Sequence, residues 1–583
     1  MRYRLVLWFA VYSWTLAGLG TGLAAGSCQV TVERNVPVKM RDGVVLRADI
    51  YRPKAAGRFP VILERTPYDK LVNPDWALRV AAHGYVAVIQ DVRGRYASEG
   101  NWYPFKYESR DGYDTVEWAA GLPHCNGKVA LFGGSYTGIT VLLAALEQPP
   151  HLAAMFYVES PADLYKGFVY RGGEFQQYFN ETWTSILAPD TLDRELRKDA
   201  RIMDWMRDLP LSHYPILPSR SRESLAPYFA DWLEHPTNDA YWRRWSLEGQ
   251  YLKIRVPCFH IAGWYDLFLG GVLENYIGMK EHRGSEAART EQRLLILPWS
   301  HGQFAGKTGE VDFVPSGYHF DFVSLMLRWF DHVVKGIPNG MGKEKPVNIF
   351  VMGKNIWRKE DSWPLARART TLFYLHSEGK ANSLGSDGTM SANPPEAEPA
   401  DHFIDDPDQP VPTLGGALCC GPLMPGVVDQ RPVEARQDVL VYTTQPYKKD
   451  FEVTGPVHVE FYASSSAVDT DFTAKLVDVW PNGFAQNLTS GLLRASYRHS
   501  FGKPEFMNPG QIYKLNINMW ATSDVFLPGH KLRLEISSSN FPQFSRNLNT
   551  GESIGNGTLT VKATNNIYHD HEHPSALVLP VVP

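Results

Sequence analysis

The segment Gly133-Gly134-Ser135-Tyr136-Thr137-Gly138 lies between two apolar runs, KVALF and ITVLLAAL. A serine on a sharp strand-to-helix turn, flanked by small residues and backed by a helix N-terminus, is a nucleophile elbow. The pattern is G-x-S-Y-x-G, with Thr at 137 and the second glycine displaced to 138. Such a serine needs a base and an orienting carboxylate, which in an α/β-hydrolase follow in the chain order Ser, Asp/Glu, His at later strand ends. Asp266 closes the apolar run IRVPCFHIAGWY and His301 follows RLLILPWS, so both fit in order and place. His301 would take the Ser135 proton and return it to the leaving group, while Asp266 would fix the imidazole tautomer and stabilise the imidazolium. His260 lies inside an apolar strand and reads as a core residue. Asp91 ends a strand ahead of the serine and reads as a residue that shapes its loop.

The elements that must position these groups follow from periodicity. Short alternating runs around Asp42-Gly43 read as a hairpin. FPVILERT, YVAVIQD and KVALFGG read as apolar strands, with helical spacing in DGYDTVEWAAGL and after Ser135. Strands alternating with helices predict an α/β sheet whose chemistry lies at the strand C-terminal ends. The expected organisation is a hydrolase domain over 29–159 and 246–345, an inserted helical cap rich in Trp and Tyr over 160–245, and a β-sandwich of jelly-roll type over 346–583. VNIFVMG, TLFYL and later alternating runs are placed in that last domain.

Composition sets the outer bounds. With 583 residues, 44% of them hydrophobic, the chain exceeds one hydrophobic core. Lys+Arg 58 against Asp+Glu 63 leaves no global positive field to gather nucleic acid or anionic lipid. The first residues place two arginines before an apolar run and then small residues, a secretory signal over 1–26, so the mature chain is expected outside the cytoplasm without a membrane span. Cys28 follows Ala25-Gly26-Ser27, a weak match to a lipoprotein acceptor. Five cysteines, Cys28, Cys125, Cys258, Cys419 and Cys420, are too few for a disulfide framework, and the adjacent pair is not expected to join. CxxC and HExxH are absent; neither a metal nor a cofactor is expected.

Taken in order, Thr66-Pro67-Tyr68, Asp91-Val92-Arg93-Gly94-Arg95, Gly133 to Gly138, Gly263-Trp264-Tyr265-Asp266, Pro298-Trp299-Ser300-His301 and Arg328-Trp329-Phe330-Asp331 with Lys335-Gly336 resemble the cocaine esterase / Xaa-Pro dipeptidyl-peptidase family of hydrolases. The resemblance covers nearly the whole mature chain. It implies Ser135, Asp266 and His301 as the catalytic triad, and an oxyanion hole made of the backbone N–H of Tyr136 and the phenol of Tyr68. Two such donors can each be worth ~3–4 kcal/mol of barrier. The related α-amino acid ester hydrolases carry acidic residues soon after the triad aspartate, to bind an ammonium group. Here Leu267-Phe268-Leu269 follow, which disfavours substrates with a free α-amino group.

The expected function is therefore an exported serine hydrolase that cleaves small-molecule carboxylic esters or amides through an acyl-enzyme, of the cocaine esterase or glutaryl-cephalosporin-acylase kind. The alternatives are an Xaa-Pro dipeptidyl-peptidase and a non-catalytic carbohydrate-binding surface protein. The run His569-Asp570-His571-Glu572-His573 could gather a metal if it were a strand, but a solvated edge is expected. Asp469, Asp471 and Asp478 lack the spacing of a calcium loop and are expected to be sheet-edge carboxylates. Sequons stand at Asn180, Asn487 and Asn556.

Overall fold

The computed structural model describes residues 29–187, 206–207, 209–213, 226–282, 284–304, 306–315 and 318–583. The leader at 1–26, Cys28 and part of the expected cap lie outside the described residues.

The first domain is built on one twisted sheet. Its strands are β1 (Val30–Lys39), β2 (Val45–Pro53), β3 (Phe59–Thr66), β4 (Val86–Asp91), β5 (Cys125–Gly134), β6 (Leu152–Val158), β7 (Cys258–Tyr265), β8 (Gln292–Ser300), β9 (Val347–Val351) and β10 (Ile356–Glu360), in the order β1-β2-β4-β3-β5-β6-β7-β8-β9-β10. The opening hairpin is antiparallel, and β4 to β9 run parallel through the centre. The central strands β4, β7 and β8 are buried along their whole length, as apolar runs covered on both faces must be. The cover comes from α1 (Asp75–Ala82), α2 (Glu108–Ala120), α3 (Tyr136–Leu146) and, on later connections, α6 (Leu269–Glu281) and α7 (Phe322–Val333). Between β6 and β7 the cap contributes α4 (Gln177–Leu187) and α5 (Pro227–Glu234).

The strand over 347–351, expected at the start of the C-terminal domain, pairs instead with β8 in parallel, and 356–360 closes the same sheet antiparallel. Alternation alone could not tell an edge of the first sheet from the start of a second. From Arg369 onward the chain forms a β-rich domain with eleven strands in one hydrogen-bonded ladder, with Phe451–Ser465 paired to three other strands.

The C-terminal domain grips the cap. Arg494 pairs with Glu174 of the cap and, at 2.9 Å, with Asp471 of its own strand pair, with Asp469 within 4.0 Å. Arg171 lies 3.4 Å over the Trp520 ring. Cys419 and Cys420 form a disulfide, contrary to the expectation that neighbours stay apart. A left-handed Cys420, at φ +72°, turns both side chains to one side. The next residue, Gly421, lies so close to α4 that a Cβ there would meet the Tyr178 hydroxyl at 2.4 Å. Cys125 and Cys258 are buried free thiols.

Candidate active site

Strand β5 delivers Ser135 and α3 starts at the next residue. Ser135 adopts φ 55° and ψ −125°, which L-residues rarely occupy, and this points its side chain out of the turn. Both flanking glycines are enforced by close approach. A Cβ on Gly133 would lie 2.2 Å from the Thr137 carbonyl oxygen, and one on Gly138 would lie 1.9 Å from Ser160 Oγ. Position 137 carries a threonine because its hydroxyl folds back on the turn, accepting from Gly134 N at 2.7 Å and donating to Gly134 O at 2.9 Å.

The ends of β7 and β8 bring Asp266 and His301 to this serine. His301 Nε2 lies 3.0 Å from Ser135 Oγ, and His301 Nδ1 lies 2.5 Å from Asp266 Oδ2. The second oxygen of Asp266 accepts from Phe268 N at 2.7 Å, so the carboxylate is fixed at both ends. All three side chains are buried. With Nδ1–H donating to the carboxylate, Nε2 is free to accept the serine proton, which is the arrangement general-base activation requires.

Tyr68, two residues past the end of β3, reaches the same serine. Its hydroxyl accepts from Trp183 Nε1 of α4 at 3.0 Å and is in hydrogen-bond reach of the Ser135 side chain. Burial pushes the Tyr68 phenol up to about 12, so it remains a neutral O–H donor. Because Trp183 occupies an acceptor site of that oxygen, the Tyr68 proton is directed toward the serine. The Tyr136 N–H is the first of α3 and has no preceding helical carbonyl to bond. Together the two donors can face an oxyanion on a carbon attacked by Ser135.

The loops that carry Tyr68 are braced. Asp91 accepts from Lys70 N and Lys70 Nζ, both at 2.8 Å, the loop-shaping role expected of it. Arg95 donates to Pro67 O at 3.0 Å and to Leu187 O, at the end of α4, at 3.1 Å. The Tyr136 hydroxyl donates to Glu108 at 2.8 Å, and Glu108 pairs with buried Arg65. His260 is a buried core residue between the Tyr157 hydroxyl and Gln292, and burial pushes it down to about 4.

An aromatic wall stands against the base. Phe268 meets the His301 ring edge-on at 5.3 Å and stacks on Phe168 at 5.6 Å; Phe168 in turn meets Phe179 and Trp183. On the other side of the elbow, Glu64, Tyr68, Trp76, Phe132, Gly134, Val158 and neighbouring residues line a cavity. Trp76 Nε1 donates to Glu64 at 3.0 Å, and burial pushes this carboxyl up to about 7.

One group of the site was missed from the sequence. Glu159, fully buried just after β6, places Oε2 at 3.5 Å from His301 Nδ1. It follows the strand end directly, which is the signal that could have found it.

The X-Pro dipeptidyl-peptidase (S15 family) model matches residues 42–303, and the model of the X-Pro dipeptidyl-peptidase C-terminal non-catalytic domain matches residues 339–578. The cocaine esterase of Rhodococcus sp. (strain MB1 Bresler) is 38% identical to the chain, over 95% of this chain and 99% of its own length. The chain belongs to the cocaine esterase / X-Pro dipeptidyl-peptidase family. Among solved structures, an aminopeptidase from a marine sediment Thaumarchaeota archaeon superposes with a TM-score of 0.81 at 25% identity, covering 98% of this chain and 99% of that one. An α-amino acid ester hydrolase does so with a TM-score of 0.80 at 25% identity, over 98% and 100%.

As a member of this family the protein is a serine hydrolase with an α/β-hydrolase domain and a C-terminal sheet-rich domain. No described helix is long and apolar enough to cross a membrane. The other clusters singled out in the sequence lie away from this site. His569 is not on a solvated edge but buried, with Nε2 2.9 Å from Asp401, and His573 turns to Asp570, so the run is not gathered around one point. Asp469 and Asp471 neutralise Arg494, and Asp478 pairs with His530. Asn180 and Asn487 are buried, while Asn556 is exposed.

Proposed function

We propose that the protein is an exported ester hydrolase whose acyl group is apolar and uncharged. Ser135 Oγ attacks the substrate carbonyl as His301 Nε2 takes its proton, and the resulting oxyanion is held by Tyr136 N–H and the Tyr68 hydroxyl. The tetrahedral intermediate expels the alcohol, which receives the proton from His301, leaving an ester on Ser135. Water, deprotonated by the same imidazole, then attacks that ester; the acid departs and the serine regains its proton. The Asp266 carboxylate, 2.5 Å from His301 Nδ1, stabilises the positive charge of the imidazolium in both halves.

The observation that carries the substrate class is Phe268. It stands two residues after Asp266, packed on His301 and Phe168, so the wall beside the base is aromatic. Burial of an apolar acyl group against it contributes by area, about 25 cal/mol per Å². An acylase acting on apolar amides uses the same acyl intermediate and belongs to the same reading. The leader sequence supports export.

The experiment compares a nitrophenyl benzoate with a glycyl-prolyl anilide on the purified mature protein, with Ser135→Ala as control. Ester turnover that disappears in the variant, with the anilide untouched, is expected. Strong anilide cleavage would make the protein a dipeptidyl-peptidase and refute the uncharged acyl group.

A further inference from the structure

The turn that ends β6 touches both sides of the reaction. Ser135 N donates to Val158 O at 2.9 Å, and the Ser160 hydroxyl donates to the Ser135 carbonyl at 2.8 Å, so this turn holds the nucleophile in its elbow. Between them Glu159 adopts a left-handed φ of +50°, with its N–H bonded to Ile261 O of β7 at 2.8 Å. This conformation is unfavourable for a residue with a Cβ. It turns the side chain back over the sheet end, where Oε2 accepts from Gly302 N at 3.0 Å. The same oxygen lies 3.5 Å from His301 Nδ1, the nitrogen that Asp266 contacts at 2.5 Å. Glu159 Oε1 is buried with no hydrogen-bond partner among the described residues. A carboxyl placed in such a position at the cost of backbone strain and desolvation calls for a role.

We propose that Glu159 is a positioning residue of the base: it fixes the His301 loop through Gly302 N–H and stands as a second carboxyl on Nδ1, able to replace Asp266 when that charge is removed. The inference rests on the triad reading of the site. The Glu159 carboxyl is deeply buried, and its repulsion by the Asp266 carboxylate on the same imidazole nitrogen adds to the effect of burial. Both effects hold the Glu159 carboxyl well above the usual carboxylate range, so Asp266 carries the charge in the intact enzyme. The titratable groups that face Glu159 are Asp266, from the end of β7, and His301, from the end of β8. Replacing Asp266 with asparagine removes the repulsion. Burial still opposes ionisation, but the imidazolium that forms 3.5 Å away then draws the Glu159 proton off, and the resulting carboxylate stabilises it.

The test is a cycle of Glu159→Gln, Asp266→Asn and the double variant in the full chain, read as kcat, KM and the pH profile of kcat/KM on one ester. Glu159→Gln alone is expected to lower kcat by less than tenfold with KM unchanged. In the Asp266→Asn background the same change is expected to cost at least ten times more. The acid limb of the Asp266→Asn profile is expected to move to lower pH when Glu159 is also removed, because an anion near the imidazole favours its protonated form. That limb does not depend on the fraction of folded protein. Glu159→Asp, which keeps a carboxyl one methylene farther back, is expected to fall between the other two. Equal penalties in both backgrounds with an unmoved acid limb would overturn the proposal. Turnover that survives Ser135→Ala would instead show that the triad reading has failed.

Discussion

Trp183 of the cap donates its indole N–H to the hydroxyl of Tyr68 at 3.0 Å. This bond couples the cap to the hydrolase domain at the point where the oxyanion is expected, and it sets the direction in which the Tyr68 proton points. The cap thus contacts the candidate site directly, through Trp183.

Tyr68→Phe is expected to lower kcat by ~10²–10³ with little change in KM, since the donor acts on the transition state and not on the bound ester. Trp183→Phe removes the orienting bond, worth about 1 kcal/mol, together with part of the ring packing on Tyr136 and Phe168, and is expected to lower kcat by at least about fivefold. Steady-state kinetics on one ester check both. An unchanged kcat in Tyr68→Phe would remove this residue from the oxyanion hole.

Phe268→Leu should change specificity more than overall rate. Shortening the wall beside His301 removes aromatic contact with the acyl group, so the ratio of kcat/KM for a benzoyl ester over an acetyl ester is expected to fall by about tenfold, roughly 1–2 kcal/mol of apolar contact. The ratio is independent of the amount of active protein. A constant ratio would move the acyl pocket away from Phe268.

Two buried groups give opposite pH dependences of stability. His260 has a folded-state value of about 4, below its usual 6.5. Its contribution is present above pH 6.5 and is lost as pH falls toward 4, amounting to about 3 kcal/mol for a shift of that size. Glu64 is raised from 4.5 to about 7. Its contribution is present below pH 4.5 and is lost as pH rises through 7, so Glu64→Gln is expected to gain thermal stability over the native chain at pH 8 and not at pH 5. Thermal midpoints at the two pH values check the sign.

Arg494→Met leaves Glu174, Asp469 and Asp471 buried near one another without their cation. Loss of one partner from a buried network costs about 3–5 kcal/mol, so a clear drop in the unfolding midpoint is expected. Calorimetry checks it, and a drop no larger than that of a surface arginine variant would show that the network is not what joins the cap to the C-terminal domain.

The central sheet and the placement of Ser135, Asp266 and His301 could be read from the sequence because apolar runs ending in polar residues report buried strands and their ends directly. Long-range pairing could not be read. Val347–Val351 alternates like a sandwich strand yet joins the first sheet, because register with β8 is set by tertiary contacts. Glu159 escaped notice because it precedes the cap, whereas the expected acid follows it; only its left-handed backbone carries the carboxyl back to His301. The Cys419–Cys420 bond likewise depends on a left-handed residue that composition does not announce.

The measurement closest to the central claim is mass spectrometry of the protein quenched in acid during turnover of a nitrophenyl benzoate, with peptide mapping of the adduct. One benzoyl group per chain on the peptide containing Ser135, absent from Ser135→Ala, is the predicted result. Full turnover with no acyl adduct, or an adduct on another residue, would contradict the account.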